Sequence, residues 1–322
     1  MKKIVLSGIK PTGKLHFGNY FGAIDQFIKN QSKDYENLYF VADYHALTTN
    51  PNNKVLFNNS IDIVIDYLAL GLDPNISNIF IQSDVKSHCE LAWILSSVTP
   101  INLLKRAHAF KDLSDKEINI SASIMYYPVL MAADILIYNS DIVPVGRDQK
   151  QHVEIARDIA IKFNNIYGNY FKLPEPKILD DSSYILGIDG KKMSKSYNNT
   201  IEIFSDPVLL KKRVFSIVTD SKGIDEPKDH KECVIFNILQ HFISSNEKIE
   251  IINKYKTGVS YKELKNLLFE KILEFQKPIV KKRDNLIKNM DYVNDIISKG
   301  KEKASYIAEK NMASIRGLVG IR

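Results

Sequence analysis

Cysteine is almost missing from the 322-residue chain: Cys89 and Cys233 stand far apart, and neither has a CxxC partner. That excludes a disulfide framework and a thiolate metal site, and it suits a reducing compartment, so the protein is expected in the cytoplasm. Long apolar runs are missing too. The start, Met1 to Gly8, is too short in apolar residues for a signal peptide, and no later stretch approaches the roughly 18 to 20 needed for a membrane span. A soluble, unprocessed protein with no membrane partner is expected. Internal repeats, low-complexity tracts and Pro/Gly-rich linkers are also lacking, which leaves any domain boundary soft. Neither GxxxxGK[ST] nor GxGxxG occurs, which argues against a generic kinase or dehydrogenase.

What is present is ordinary globular composition, 44% hydrophobic and 25% charged, enough for one large domain or two moderate ones. The net charge of +6 is unevenly spread: residues 1–204 carry 21 Lys+Arg against 22 Asp+Glu, and 205–322 carry 23 against 16. A polyanion bound through the second half accounts for this, and so does a solvated, lysine-rich helical surface. Short apolar runs at Ile4–Leu6, Leu38–Ala42, Ile79–Ile81 and Ile142–Val145 predict buried parallel strands. Helical patterns lie between them: Tyr20, Ile24 and Ile28 share one face, and Ile61 to Leu70 stops at Gly71. The alternation predicts an α/β fold with a Rossmann-like, doubly wound parallel sheet. Beyond about Asp206 the pattern is helical, as in Tyr261–Phe275 and Lys303–Met312. The expected division is 1–204 as the catalytic part and 205–322 as a mostly helical domain.

Two segments carry chemistry. After the first strand, Gly8 to Asn19 (GIKPTGKLHFGN) is a glycine-rich turn running into a helix, whose free N–H groups and dipole suit a phosphate. Later, Lys191-Lys192-Met193-Ser194-Lys195-Ser196 packs three lysines and two hydroxyls into six residues. Ammonium groups on such a loop can neutralise charge that builds on a triphosphate; alone, the loop reads equally as solvated surface.

Together these segments resemble the HIGH and KMSKS signatures of class I aminoacyl-tRNA synthetases, with His16-Phe17-Gly18-Asn19 in the first position and Lys192 to Ser196 matching the second letter for letter. The form HxGN is usual in the tryptophan and tyrosine branch. The likeness extends through Val41–Thr48, Tyr127–Tyr138 and Asp141–His152.

Within Tyr127–Leu136 one carboxylate, Asp134, interrupts an apolar run, and in a helix it shares a face with Tyr127 and Met131. Burying an unpaired carboxylate costs several kcal/mol, so Asp134 needs donors. An indole N–H suits it, a tyrosine phenol also suits it, and a cap or pair elsewhere in the core would serve as well. Met131, where tyrosine enzymes typically place Gln, and Val143–His152, similar to VPVGxDQxQH, resemble the tryptophan branch.

The resemblance implies an ATP-dependent ligase that forms tryptophanyl-adenylate, releases pyrophosphate with Mg²⁺, and transfers the amino acid to the terminal 2′-hydroxyl of tRNA(Trp). It implies ATP contacts from Lys10, Pro11, Thr12, Gly18, Asn19, Gly146, Arg147, Asp148, Ile185, Lys192, Met193, Ser194, Lys195 and Ser196. Lys10 stands where bacterial relatives commonly have Gln, and Arg147 fills a variable place. L-Tryptophan would meet Asp134, Tyr127, Gln149 and His45 between walls of Leu6, Gly8, Met131, Val143 and Val145. His16, Lys192 and Lys195 would act on the transferring phosphates, with no structural metal in the protein. A homodimer and anticodon reading by 205–322 are implied likewise. His152 is expected in helix packing, and Trp93, His88 and Cys89 in the core or on the surface. A nucleotidyltransferase of related fold would not require both the full second signature and a basic helical domain, and a non-catalytic RNA-binding paralogue would be expected to lose signature residues.

Overall fold

In the computed structural model, which describes residues 2–48, 53–107, 121–178 and 185–321, the apolar runs form β1 (Lys3–Ile9), β2 (Tyr35–Val41), β3 (Ser77–Ile81) and β4 (Ile142–Val145). A fifth strand, β5 (Glu175–Ile178), escaped the sequence reading: it is short and largely exposed at an edge, and it carries Pro176 where an interior strand would need a donor. All pairs are parallel, in the order β3-β2-β1-β4-β5, with Lys3 opposite Tyr35, Asn37 opposite Ser77, Val5 opposite Ile142 and Ile142 opposite Glu175. Strand order reverses between β1 and β4, so a crevice opens at the carboxyl ends of those two strands. Gly8 to Lys10 and Gly146 to Gln149 lie at those ends.

Contacts divide the chain into two compact units, one of Met1–Gly13, Gln26–Leu179 and Asn289–Arg322, the other of Lys14–Asp25 and Asp180–Lys288. The first holds the sheet. Its helices are α1 (Asn53–Leu70), α2 (Ser87–Ser96), α3 (Ala122–Leu136), α4 (Lys150–Tyr167) and, from the C-terminal segment, a 30-residue helix, Met290–Val319. Helix α1 stops where predicted: Gly71 takes φ +120°, a conformation glycine adopts without a Cβ penalty, and its N–H closes on the Tyr67 carbonyl at 3.2 Å. One core runs through Leu6, Leu38, Phe80, Ala133, Val143 and Phe163.

The second unit is helical: α5 (Pro207–Phe215), α6 (Val234–Leu239), α7 (Ser245–Thr257) and α8 (Tyr261–Lys288), which makes the C-terminal helix of the first unit α9. Asp206 caps α5 by accepting from the N–H of Val208 and Leu209, with Pro207 at the first helical position; Ser244 and Glu247 form a capping box on α7. The helix predicted through Tyr20 and Ile24 begins with a wider, π-type turn over Tyr20–Ile24. Phe17, Phe21, Phe242 and Phe275 meet there edge to face or stacked, with centroids 5.0–6.1 Å apart. Among the described residues no helix is long and apolar enough to cross a membrane.

Helix α9 lies directly on β3. A Cβ built on Gly300 would sit 1.8 Å from the Ile79 carbonyl oxygen, and Asn78 donates its amide to the Gly300 carbonyl at 3.1 Å. Backbone cannot yield as a flexible side chain can. Gly300→Ala is therefore expected to cost at least about 2 kcal/mol and to lower the thermal midpoint by roughly 5 °C, as thermal denaturation will read, despite alanine's better helix propensity.

Candidate active site

In the first unit, Asp134 projects from α3 into the core, 1% exposed. Its Oδ2 lies 2.8 Å from His45 Nε2, and its Oδ1 lies 2.5 Å from His88 Nδ1. The Gln82 amide donates to both oxygens, at 2.8 and 2.9 Å. Burial alone would raise the carboxyl pKa; the hydrogen bonds and charge of His45 and His88 outweigh it and hold Asp134 below the usual carboxylate range. The donors predicted for this carboxylate are thus supplied by the chain itself. His45 sits on the short helix Asp43–Ala46, which follows β2.

Tyr127, two turns before Asp134 on α3, sets its ring 6.3 Å from His45, edge to face, and its Oη 2.9 Å from His152 Nε2. Burial pushes the Tyr127 phenol up to about 12, so it remains protonated. His152, expected in helix packing, is buried as well and orients that phenol. Lys10, just beyond β1, holds its ammonium 5.5 Å from the Tyr127 ring centroid; the residue as a whole is exposed, yet desolvation of its ammonium lowers its pKa. Leu6, Met131, Val143 and Val145 share one apolar cluster. Gly8 is required beside them, because a Cβ would come within 2.8 Å of the Phe40 carbonyl and 2.9 Å of its ring. Gly146, Arg147 and Gln149 follow β4 in a single tight turn, Arg147 and Gln149 being engaged by neighbours; the side chain of Asp148 lies outside the described residues. Pro11 and Thr12 lie just beyond β1, Pro11 accepting from the Asn59 amide at 3.2 Å.

The second unit gathers the two signature segments. His16 is 5% exposed, and its Nδ1 has no hydrogen-bond partner. Its backbone N–H donates to Asn19 Oδ1 at 3.2 Å. The Gly18 N–H points at Met193 Sδ, 3.3 Å away, and a Cβ on Gly18 would come within 2.9 Å of His16 Nδ1 and 3.2 Å of Met193 Cβ. Glycine here keeps a niche open beside an unsatisfied nitrogen. Met193 is 3% exposed and fastened through its N–H to the carbonyl of Ile185, itself 3% exposed. Lys192 is exposed and Lys195 half-buried, and Lys195 is near enough for its charge to act on His16. Ser194 and Ser196 pair through their hydroxyls at 2.9 Å.

Four residues of these sites carried no readable signal. Asn199, 1% exposed, clamps the loop: it accepts the Ser194 N–H at 2.7 Å and donates to Asp189 Oδ1 at 2.7 Å and to the Lys192 carbonyl at 3.0 Å. Gln82 lay outside any motif, Tyr138 only closed the resembling stretch Tyr127–Tyr138, and His88 was expected in the core or on the surface; all three are fully buried near Asp134. Among the described residues no group of three or more His, Cys, Asp or Glu side chains is placed to hold a metal ion.

With that geometry in place, comparison with known proteins adds three findings. Residues 2–277 match the family of class I tRNA synthetases (W and Y). The chain is 50% identical to a tryptophan–tRNA ligase of Fusobacterium nucleatum over 98% of its own length and 97% of the relative's, and 44% identical to one from Rhodopirellula baltica over 99% of both. A crystal structure of the tryptophanyl-tRNA synthetase of Campylobacter jejuni, complexed with ADP and tryptophan, superposes with a TM-score of 0.91 at 44% identity, covering 99% of this chain and all of that one.

Burial and the nearby charge of Lys195 lower the His16 imidazole from 6.5 to about 4. The unfolded chain binds that proton near pH 6.5, whereas the folded ring refuses it until about pH 4, so stability falls as pH drops through this window. At 1.36 kcal/mol per unit the loss amounts to about 3 kcal/mol. Urea titrations between pH 7 and 4 should show this component in the native protein and its absence in His16→Gln; equal pH dependence in both would refute it.

Proposed function

The chain belongs to the class I tRNA synthetases of the W and Y family and joins tryptophan to its tRNA, and from that premise we propose how its own residues divide the work. The observation that carries the reading is the ionised, buried Asp134 set beside His45 and Tyr127. An ionised carboxylate only accepts, and the indole N–H only donates, so the two are matched in a way phenylalanine could not satisfy. The apolar walls from Leu6, Gly8, Met131, Val143 and Val145 take the ring, and Gln149 takes the ammonium.

Magnesium–ATP comes as substrate. Lys10, Pro11, Thr12, Gly18, Asn19, Gly146, Arg147, Asp148, Ile185, Met193, Ser194 and Ser196 are assigned to the nucleotide. The carboxylate of tryptophan attacks the α-phosphorus, a new acyl–oxygen–phosphorus linkage forms, and the bond to pyrophosphate breaks. No enzyme nucleophile is needed; positioning and charge stabilisation supply the rate. His16 stays uncharged at neutral pH, and its open Nδ1, carrying the ring proton, donates to a phosphate oxygen as charge builds there. Lys192 and Lys195 neutralise the departing phosphates. In the second step the terminal ribose hydroxyl of tRNA(Trp) takes the acyl group and AMP leaves.

We assign residues 1–204 to activation and 205–322 to the tRNA anticodon. The charge excess supports this: 205–288 carries 17 Lys+Arg against 12 Asp+Glu. The helices α5 to α8 supply that stretch, while α9 packs in the first unit. The working form is a homodimer in the cytoplasm. In a single copy Trp93, Phe57 and Ile101 are 76%, 67% and 60% exposed, a load of bare apolar surface that a partner copy would cover.

ATP–pyrophosphate exchange tests the assignment. Exchange should depend on tryptophan and not on tyrosine or phenylalanine; Asp134→Ala should abolish it, and Lys195→Ala should lower kcat by roughly 10² to 10³. Exchange driven by tyrosine, or untouched by Asp134→Ala, would overturn it. For the dimer, sedimentation should give twice the mass of the chain, with Trp93→Glu shifting it toward monomer. A native protein that stays monomeric at micromolar concentration would refute that part.

A further inference from the structure

His88, Gln82 and Tyr138 have no part in the roles above, yet all are fully buried in one polar chain behind Asp134. Gln82 accepts the Tyr44 N–H on Oε1 at 3.1 Å, which turns its NH₂ toward the carboxylate. The His88 ring has its other nitrogen, Nε2, 2.7 Å from Tyr138 Oη. His88 reaches Asp134 through Nδ1 while the Tyr138 hydroxyl holds its opposite nitrogen, so the ring is fixed from both ends. Phe40, Phe80 and Tyr138 enclose the imidazole edge to face, at centroid distances of 6.3, 6.3 and 5.5 Å. Neither ring flips nor tautomers are free in that box.

A carboxylate offers about four acceptor directions. His45 and Gln82 reach Oδ2, and His88 and Gln82 reach Oδ1, the Gln82 amide being shared between the two oxygens. We propose that His88, fixed by Tyr138 and assisted by Gln82, is a positioning residue for amino-acid selection: it holds Asp134 ionised and in one orientation, so that a ligand N–H meets a fixed acceptor. This rests on Asp134 receiving the indole. Without His88 the buried carboxyl would lose a charge-assisted partner, gain a proton more readily, and present O–H as well as oxygen. A site of that kind reads its ligand poorly, because rejection of a ring lacking the donor depends on leaving a fixed acceptor unpaired.

The test uses the full-length protein in ATP–pyrophosphate exchange and compares tryptophan with 3-(3-benzothienyl)alanine, in which sulfur replaces the ring N–H. The native protein should prefer tryptophan in kcat/KM by about 10³ or more. His88→Leu should narrow that preference by roughly 10²-fold while KM for ATP stays within a factor of two. His88→Asn, which keeps an N–H near the position of Nδ1, should retain most of it. Tyr138→Phe removes only the hydroxyl and should narrow the preference by about 5- to 10-fold, and it serves if His88→Leu does not fold. A folded His88→Leu or Tyr138→Phe protein with undiminished preference would overturn the proposal. If the native protein shows no preference, or Asp134→Asn keeps it intact, the indole assignment of Asp134 itself fails; if Asp134→Asn loses the preference and the His88 and Tyr138 variants keep it, only the positioning role fails.

Discussion

The buried carboxylate of Asp134 organises the first unit. Asp134 sits where an unpaired carboxylate would be destabilising by several kcal/mol, so the chain spends three side chains from three separate elements on it: His45 after β2, Gln82 after β3 and His88 on α2. Each contact spans 46 to 89 residues of sequence. They tie the ends of β2 and β3 to the last turn of α3. Loss of one partner would leave the others around an under-compensated charge, so the set stands or falls together.

The second unit works by the opposite device. Where Asp134 is ringed by donors, His16 is left with a bare nitrogen, and Gly18 keeps the space beside it clear. The loop that carries Lys192 and Lys195 is nonetheless well fastened. Asn199 holds three of its groups, and Arg213 grips Asn198, a residue in the left-handed region at φ 50°, through both its carbonyl and its side chain at 3.1 and 2.9 Å. The lysines proposed to neutralise the phosphates are thereby mounted on a hydrogen-bonded base.

How much of this was legible follows from the kind of signal each residue gives. Continuous apolar runs marked β1 to β4, since a buried parallel strand has no other way to look; β5, polar and at an edge, had no such mark. Tyr127, Met131 and Asp134 were grouped by helical spacing alone, and that spacing is what α3 realises. The catalytic signatures were legible because several unusual residues stand together. Gln82, His88, Tyr138 and Asn199 were not, because a polar residue within an apolar stretch says only that it needs a partner and never which one. The stripe Gly300, Ala304, Ala308 on α9 was a local clue to close packing, small residues recurring every four positions, but the surface it met could not be read from it.

The packing of α9 on β3 bears on how the molecule is made. β3 lies at the edge of the sheet, and the helix that covers it is the last long element of the chain. During synthesis the strands emerge first, and most of the second unit, Asp180–Lys288, is complete before α9 appears. β3 therefore stays uncovered until α9 has emerged, and Arg316 on α9 then reaches Glu90 at 2.6 Å. An exposed strand edge is where chains mispair, so the order of emergence makes α9 the element on which the protection of β3 waits.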